Sequence, residues 1–154
     1  MAAADTRQTL DAGLGELRLG LSEEQRERLT GFVELLSRWN QAYNLTAIRS
    51  PAEMVARHVL DSLSVLDLVD GPRVLDVGSG AGVPGIPLSV ASPDRHFFLL
   101  DSNGKRIRFV THVIGRLALE NVDVHRVRAD FDLGGGHVDL RPSEGVRRRR
   151  DHDQ

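Results

Sequence analysis

The stretch Val74-Leu-Asp-Val-Gly-Ser-Gly-Ala-Gly-Val-Pro-Gly-Ile-Pro-Leu88 decides the fold. It begins as a short apolar run, passes through closely spaced glycines and continues as a segment of helical length. Gly78, Gly80 and Gly82 allow the backbone to approach a ligand closely, and the following helix offers free N–H groups at its N-terminus. The alternative is a tight strand-to-helix turn that binds nothing, although three such glycines cost conformational entropy.

The segment around this turn alternates strand-like and helix-like patterns. Apolar runs typical of strands cover Arg73–Val77, His96–Asp101 and 122–127, and helix-length segments separate them at 84–91 and 105–119. An order of strand, helix, strand, helix and strand predicts an α/β fold with a parallel sheet and right-handed crossovers. We assign residues 71–131 to this Rossmann-like part of the chain.

Two acidic residues flank the predicted turn. Asp101 ends the second strand about 20 residues beyond it, the separation at which a carboxylate reaches ribose hydroxyls in nucleotide-binding folds. A dinucleotide and S-adenosylmethionine both remain possible ligands. S-adenosylmethionine is favoured because Asp76, at the end of the first strand, can face its ammonium group, and because the glycine spacing departs from the dinucleotide pattern.

Residues 1–70 are predicted to be helical. Ser22 and Gln25 have the spacing of a capping box, and Ser50-Pro51 with Glu53 is a second helix start signal. Apolar residues at helical intervals follow the first signal: Leu29, Phe32, Val33, Leu36 and Trp39. This stripe predicts that the helix packs on a partner surface, with Trp39 in the core rather than stacked on a base.

Residues 132–154 have a different composition. They contain three consecutive glycines and four consecutive arginines at 147–150, with few large apolar residues. Neither a buried strand nor an amphipathic helix is typical of such a pattern, so we predict a disordered or poorly packed tail.

The composition limits the chemistry. The chain has 154 residues and is 40% hydrophobic, which predicts one domain, or one domain plus a small lobe. It has no cysteine, which excludes disulfides, thiolate nucleophiles and cysteine-bound metals. No His, Asp and Glu cluster has the spacing of a metal site. The net charge is −2 and no apolar run is long enough for a membrane span, so we expect a cytoplasmic protein with no membrane partner.

Four motifs in order resemble one known family. They are SRWNQAYNLTAI, MVARHVLDSL, LDVGSGAGVPGIPL and LLDSNGKRIRFV, and with the intervening sequence the resemblance covers about residues 20–131. The sequence is similar to the bacterial 16S ribosomal RNA guanine-N7 methyltransferases, the glucose-inhibited division protein B family. The resemblance implies a class I S-adenosylmethionine-dependent methyltransferase sheet, here incomplete at its C-terminal end, with an N-terminal helical extension.

The resemblance also implies the cofactor contacts. Gly78 and Val83 lie in the glycine turn, Asp101 is expected to hold the ribose, and Ala129 with Asp130 takes the place of a small-plus-acidic pair near the adenine. Val83 replaces a larger apolar residue. For Asp130 the alternative is a solvated loop carboxylate.

The implied partner is 16S ribosomal RNA in the small ribosomal subunit. Lys105, Arg106 and Arg108 are candidates for phosphate contacts, and the alternative is the solvated face of a helix. Guanine N7 already carries a free lone pair, so we assign no catalytic acid or base, and we expect a monomer. Asn40, Asn44 and His58 match the N-terminal motifs but suit helix caps or interhelical hydrogen bonds better.

The sequence departs from the family after residue 131. The family continues with a Gly-Phe-Asp-Val-Val-type fourth strand and a Ser-Arg-Ala segment, and neither is present. Codons exist for residues 144–151 in which loss of one base restores Phe-Asp-Val-Val-Val, so we hypothesise a frameshift between about residues 130 and 146. This chain would then be weakly active or inactive. The alternatives are an NAD(P)-binding oxidoreductase fragment and a non-catalytic RNA-binding remnant.

Overall fold

A computed structural model describes residues 2–132 and 137–142. The first half is helical and the second half alternates strands with helices. The elements are α1 (Ala2–Glu16), α2 (Glu23–Tyr43), α3 (Pro51–Met54), a π-helical segment (Val55–Leu60), α4 (Asp61–Ser64), a 3-10 turn (Leu66–Leu68), β1 (Arg73–Val77), α5 (Gly85–Ala91), β2 (His96–Asp101), α6 (Gly104–Arg116), β3 (Val122–Asp132) and β4 (His137–Pro142).

The strands form one sheet in the order β1-β2-β3-β4. β1 pairs in parallel with β2, from Arg73 opposite His96 to Val77 opposite Leu100. β2 pairs in parallel with β3, and the last pair is Asp101 with Arg126. The predicted parallel sheet is confirmed, and β1 and β2 have the predicted bounds.

Helices α5 and α6 pack on the sheet, and the helical half packs on these two helices. α5 contacts β2, α6 contacts β2 and β3, and α2 contacts both α5 and α6. Apolar side chains from both halves therefore share one core, in which burial at about 25 cal/mol per Å² is the main stabilising term. Its largest fully buried members include Phe32, Leu36, Met54, Ile86, Phe97, Leu99 and Phe109.

The predicted helix starts are confirmed by hydrogen bonds. Ser22 Oγ accepts from the Gln25 N–H at 3.1 Å, and the Gln25 side chain accepts from the Ser22 N–H at 2.8 Å. Ser50 Oγ accepts from the Glu53 N–H at 3.4 Å, with a proline at the start of the helix. Trp39 packs against the core as predicted, with its ring 5.5 Å from that of Phe109.

Polar side chains of α2 and of the π-helical segment hold the loop between α2 and α3. Asn40 is buried, and its side chain accepts from the Thr46 N–H at 2.9 Å and donates to the Ile48 carbonyl at 3.2 Å. His58 Nε2 lies 2.9 Å from Thr46 Oγ1, and burial lowers the pKa of His58. The structural alternative weighed for Asn40 and His58 therefore accounts for both.

The sheet extends further along the chain than the sequence predicts. β3 runs to Asp132 instead of ending at residue 127, and its second half pairs antiparallel with β4, from Val127 opposite Pro142 to Asp132 opposite His137. The structure thus differs at 137–142 from the predicted disordered tail, because pairing with β3 satisfies the backbone of a segment that has little apolar content. The rest of that prediction, at 133–136 and 143–154, lies outside the described residues, as does part of the frameshift region.

The described residues contain neither a membrane-spanning helix nor a cluster of metal-binding side chains. Within 2–132 and 137–142, no helix has the length and apolar character needed to cross a membrane. The same part of the chain contains no group of three His, Cys, Asp or Glu side chains arranged to hold a metal ion. His125 is exposed on β3.

Candidate functional site

The glycine turn follows β1 at the end of the sheet where the parallel strands have their carboxyl ends. Gly78, Gly80 and Gly82 have φ angles of +73°, +57° and +90°, which side chains other than glycine rarely adopt. A Cβ on Gly78 would meet no atom within 4 Å, and one on Gly80 would meet only Arg106 Nη1 at 4.0 Å. These two glycines therefore present bare backbone to open space, which a ligand can approach closely.

The other two glycines of the turn serve packing instead. A Cβ on Gly82 would lie 2.6 Å from Ile86 Cγ1, and one on Gly85 would lie 2.8 Å from both Asp76 Oδ2 and Leu99 Cδ1. Gly85 thus allows α5 to begin in close contact with β1 and β2. The turn combines an open face for a ligand with a tight joint between helix and sheet.

Asp101 ends β2 next to the open face of the turn. The residue is only 7% exposed. Its Oδ2 accepts from the Gly80 N–H at 2.9 Å, and its Oδ1 accepts from the Asn103 N–H at 2.8 Å. The two amides fix the carboxylate beside Gly80, as the sequence predicts for a group that binds a sugar at this turn.

The amides of the turn are largely used within the chain. The Gly78 and Ser79 N–H groups both donate to the Leu100 carbonyl, at 2.8 and 3.0 Å. At the start of α5, the Gly85 N–H donates to Asp76 Oδ2 at 3.1 Å and the Ile86 N–H donates to the Gly82 carbonyl at 2.7 Å. The prediction of free N–H groups at this helix start is wrong for these residues, because a strand-end carboxylate and the turn itself satisfy them.

Asp76 lies in β1, half-buried, behind the turn. Burial raises the pKa of Asp76 to about 6, the hydrogen bond from the Gly85 N–H opposes that rise, and the nearby charge of Asp101 adds to it. A carboxyl with such a pKa gains from a cationic partner, because an ammonium group favours its charged form. This environment suits the predicted contact with an ammonium group.

Ala129 and Asp130 lie within β3, not after it, and beyond the last pair of β2 with β3 at Asp101 and Arg126. The Asp130 carboxylate is 3.4 Å from Arg128 Nε and 3.9 Å from Arg141 Nε. The alternative interpretation of Asp130 was a carboxylate in a solvated loop. The structure instead places Asp130 in a strand, with two arginine side chains beside its carboxylate.

The three predicted phosphate contacts on α6 divide into two kinds. Lys105 and Arg108 are exposed on the surface. Arg106 instead places its Nη1 atom 3.9 Å from Asp101 Oδ2. The structure therefore brings Arg106 to the glycine turn rather than to a separate basic face.

Two further residues of the turn, Ser79 and Val83, are buried and half-buried. Val83 is half-buried, packs against the core and donates its N–H to the Ser79 carbonyl at 3.1 Å. Ser79 is buried, and within the described residues its hydroxyl has no hydrogen-bond partner. Val83 supports the turn from the protein side, next to the open faces of Gly78 and Gly80.

Comparisons with known proteins identify the family. The family model of rRNA small subunit methyltransferase G matches residues 25–141. The chain belongs to the rRNA small subunit methyltransferase G family. Its mixed α/β fold, with a four-stranded sheet and an N-terminal helical layer, agrees with the Rossmann-like methyltransferase fold that the resemblance implied.

Curated relatives carry the same name. The ribosomal RNA small subunit methyltransferase G of Vibrio vulnificus is 51% identical over 124 residues, which cover 80% of this chain and 59% of the relative. That of Vibrio atlanticus is 53% identical over 116 residues, 75% of this chain and 55% of the relative. That of Pseudomonas syringae is 51% identical over 130 residues, 84% of this chain and 62% of the relative. The chain spans about three fifths of the length of these relatives.

The family assignment bears on the alternatives left open by the sequence. The comparisons bear out neither the NAD(P)-binding oxidoreductase nor the non-catalytic remnant. The family-level prediction made from the four motifs is confirmed.

Sequence reasoning missed two residues that shape this methyltransferase-family site. Asn103 caps α6 through hydrogen bonds from the Lys105 and Arg106 N–H groups, and its own N–H holds Asp101. Its position before a helix is a recognisable N-cap signal. Arg126 donates from Nε to the Ser102 carbonyl at 3.2 Å and so ties β3 to the loop after Asp101. No pattern in the sequence signals that contact, since it joins residues 24 positions apart.

Proposed function

We propose that the chain binds S-adenosylmethionine at the glycine turn and supports methyl transfer to N7 of a guanine in 16S ribosomal RNA. The observation that carries the proposal is the buried Asp101 carboxylate held beside Gly80, whose Cα faces open space. Membership of a family whose relatives are named for methylating small-subunit ribosomal RNA gives the substrate class.

The residues of the turn suit a nucleoside that carries an amino acid. Asp101 is the acceptor for ribose hydroxyls, Gly78 and Gly80 give the backbone room for close approach, and Asp76 supplies a carboxylate for the ammonium group. Val83 and the pair Ala129–Asp130 remain proposed contacts for the adenine end. S-adenosylmethionine, when bound, supplies a methyl group on a sulfonium centre.

The protein's part in such a reaction is placement. Guanine N7 has a lone pair that no base needs to uncover, so the reaction requires alignment of N7 with the methyl group, which is a proximity effect. The groups of the site fit that demand, because Asp76 and Asp101 are suited to binding and neither has to exchange a proton with the guanine. We therefore assign binding and orientation, and no acid–base role, to these two carboxylates.

The proposed substrate meets the protein through charge. Lys105 and Arg108 are exposed on α6, the helix that begins at Gly104, three residues after Asp101, and RNA binding depends strongly on phosphate contacts. They are proposed to contact RNA phosphates next to the cofactor. The partner is the small ribosomal subunit, and the protein is expected to act in the cytoplasm as a monomer.

The direct test is methyl transfer to small ribosomal subunits that lack the modification. Subunits from cells without a family enzyme are incubated with the protein and S-adenosylmethionine labelled in the methyl group, and nucleosides from the digested RNA are identified by mass spectrometry. Labelled 7-methylguanosine is expected, and it should disappear with Asp101→Ala. Label in another nucleoside, or none together with no S-adenosylhomocysteine binding, would overturn the proposal.

A further inference from the structure

Arg106 lies across the open side of the proposed nucleoside site. Its Nη1 atom is 3.9 Å from Asp101 Oδ2 and would be 4.0 Å from a Cβ built on Gly80. The Arg106 side chain is 44% exposed, whereas that of Asp101 is 7% exposed. The guanidinium therefore stands between solvent and the buried carboxylate, in the space that the glycine turn leaves open.

The acceptor sites on the Asp101 carboxylate show why the position of Arg106 affects the binding of a nucleoside. A carboxylate offers about four lone-pair sites on its two oxygens. The Gly80 N–H takes one on Oδ2 and the Asn103 N–H takes one on Oδ1. A ribose brings two hydroxyl donors, so it needs a site on Oδ2 as well, and Oδ2 is the oxygen that Arg106 Nη1 approaches to 3.9 Å.

We infer that Arg106 is a positioning residue of the cofactor site, whose guanidinium competes with the ribose hydroxyls for Asp101 Oδ2 and moves away from this oxygen when the nucleoside binds. The inference rests on the proposed function and assigns Arg106 a role that Lys105 and Arg108 do not share. Of the three donors around Asp101, only Arg106 is a long, exposed side chain, and its contact is the longest. Arg106 is therefore the donor that a ribose hydroxyl displaces from Asp101.

The displacement has a consequence for RNA binding. Once ribose occupies Asp101, the Arg106 guanidinium no longer pairs with that carboxylate and is available to a phosphate of the RNA. The cofactor then raises the affinity for RNA, and RNA raises the affinity for cofactor by the same factor, because coupling between two binding sites is reciprocal. The coupling is modest, since an exposed ion pair at this distance contributes little.

The experiment compares Arg106→Ala with Arg116→Ala, a matched loss of one exposed arginine at the other end of α6. Titration calorimetry measures the affinity of each for S-adenosylhomocysteine. Arg106→Ala is expected to bind it roughly two- to fivefold more tightly than the unsubstituted chain, and Arg116→Ala to bind it unchanged. Equal or weaker binding by Arg106→Ala overturns the inference.

A second measurement follows RNA on filters. In the unsubstituted chain, saturating S-adenosylhomocysteine should tighten binding to 16S ribosomal RNA by roughly two- to fivefold, and Arg106→Ala should abolish this gain. A gain that survives in Arg106→Ala counts against the inference. A third measurement needs no variant: the Arg106 Nε–Hε signal in NMR should move on addition of S-adenosylhomocysteine, and a signal that stays in place overturns the displacement. If the unsubstituted chain binds no S-adenosylhomocysteine at all, the proposed function itself fails.

Discussion

At the scale of single residues, the site depends on two carboxylates in different surroundings. Asp101 is nearly buried and holds two backbone N–H groups, and Asp76 is half-buried behind the turn with one. Both positions follow from parallel strands that end at the same edge of a sheet. Their neighbours, rather than their type, set what each carboxylate can bind.

Asp101→Asn should separate charge from shape. The amide keeps the size of the side chain but loses the charge and one acceptor atom, so we expect the affinity for S-adenosylhomocysteine to fall roughly 10- to 100-fold. Titration calorimetry measures the change. Asp94→Asn, in the exposed turn before β2, is the matched control and should bind normally. Normal binding by Asp101→Asn would contradict the ribose assignment.

Asp76 should make cofactor binding depend on pH. Burial raises the pKa of Asp76 to about 6, so the carboxyl is charged above that value and neutral below it. Only the charged form attracts the ammonium group of the ligand, so affinity should rise as the pH rises through 6. Between pH 7.5 and pH 5 we expect about a tenfold loss of affinity for S-adenosylhomocysteine.

The control for this dependence is Asp76→Asn. The substituted chain should bind S-adenosylhomocysteine weakly and with little change in affinity between pH 5 and 7.5. A tenfold loss of affinity that persists in Asp76→Asn would show that another group titrates, and the assigned ammonium contact would be wrong.

The residue-scale predictions from sequence succeeded where a strand end determines the place of a side chain. Asp76 and Asp101 lie beside the glycine turn because strand direction puts them there. Arg106 was predicted from its charge to contact RNA phosphates, but charge alone does not say which way a long side chain turns. The direction of the Arg106 side chain depends on the buried carboxylate of Asp101, at the end of the strand that precedes α6.

At the scale of elements, the joint between β1, α5 and β2 is the tightest part of the site. Gly85→Ala would place a Cβ 2.8 Å from both Asp76 Oδ2 and Leu99 Cδ1. Overpacking of this kind costs about 1–3 kcal/mol, so we expect the free energy of unfolding in urea to fall by that amount.

Gly115→Ala is the matched control, since a Cβ at Gly115 in α6 would meet no atom within 4 Å. Alanine is the better helix former, so this change should raise the free energy of unfolding by about 0.4–1 kcal/mol. The two substitutions should therefore move stability in opposite directions. If Gly85→Ala raised the free energy of unfolding as Gly115→Ala does, α5 would be able to move away from the sheet without a loss of stability, which would contradict this prediction.

Element starts were predictable to the extent that local chemistry fixes them. The capping box at Ser22, the proline start at residue 51 and the bounds of β1 and β2 are read from neighbouring residues. The second half of β3 was not predicted, although Val127, Ala129 and Phe131 alternate there with charged residues as they do in a strand. It is a strand because β4 pairs with it, and that partner lies on the far side of residues 133–136.

At the scale of the whole molecule, ligand binding and folding are linked. A ligand that binds only the folded chain at 100 times its Kd adds about 2.7 kcal/mol to stability. For a chain of this size, that corresponds to a rise in Tm of about 5–10 °C, measured by scanning calorimetry. S-adenosylhomocysteine should produce this shift, and NAD at the same concentration should produce none. A larger shift with NAD would reopen the dinucleotide interpretation.

The sequence by itself determined the parallel α/β order, the glycine turn between Asp76 and Asp101, and the family, because these depend on residues close together in the chain and on motifs that recur in order. Only the tertiary structure decided which groups meet across the sheet. The N–H groups at the start of the turn donate to the Leu100 carbonyl, and the N–H of Gly85 donates to the Asp76 carboxylate. The Arg106 guanidinium lies 3.9 Å from the Asp101 carboxylate. Such contacts join separate elements, so they depend on packing distances and on how deeply each charge is buried. Neighbouring residues in the sequence determine neither of these quantities.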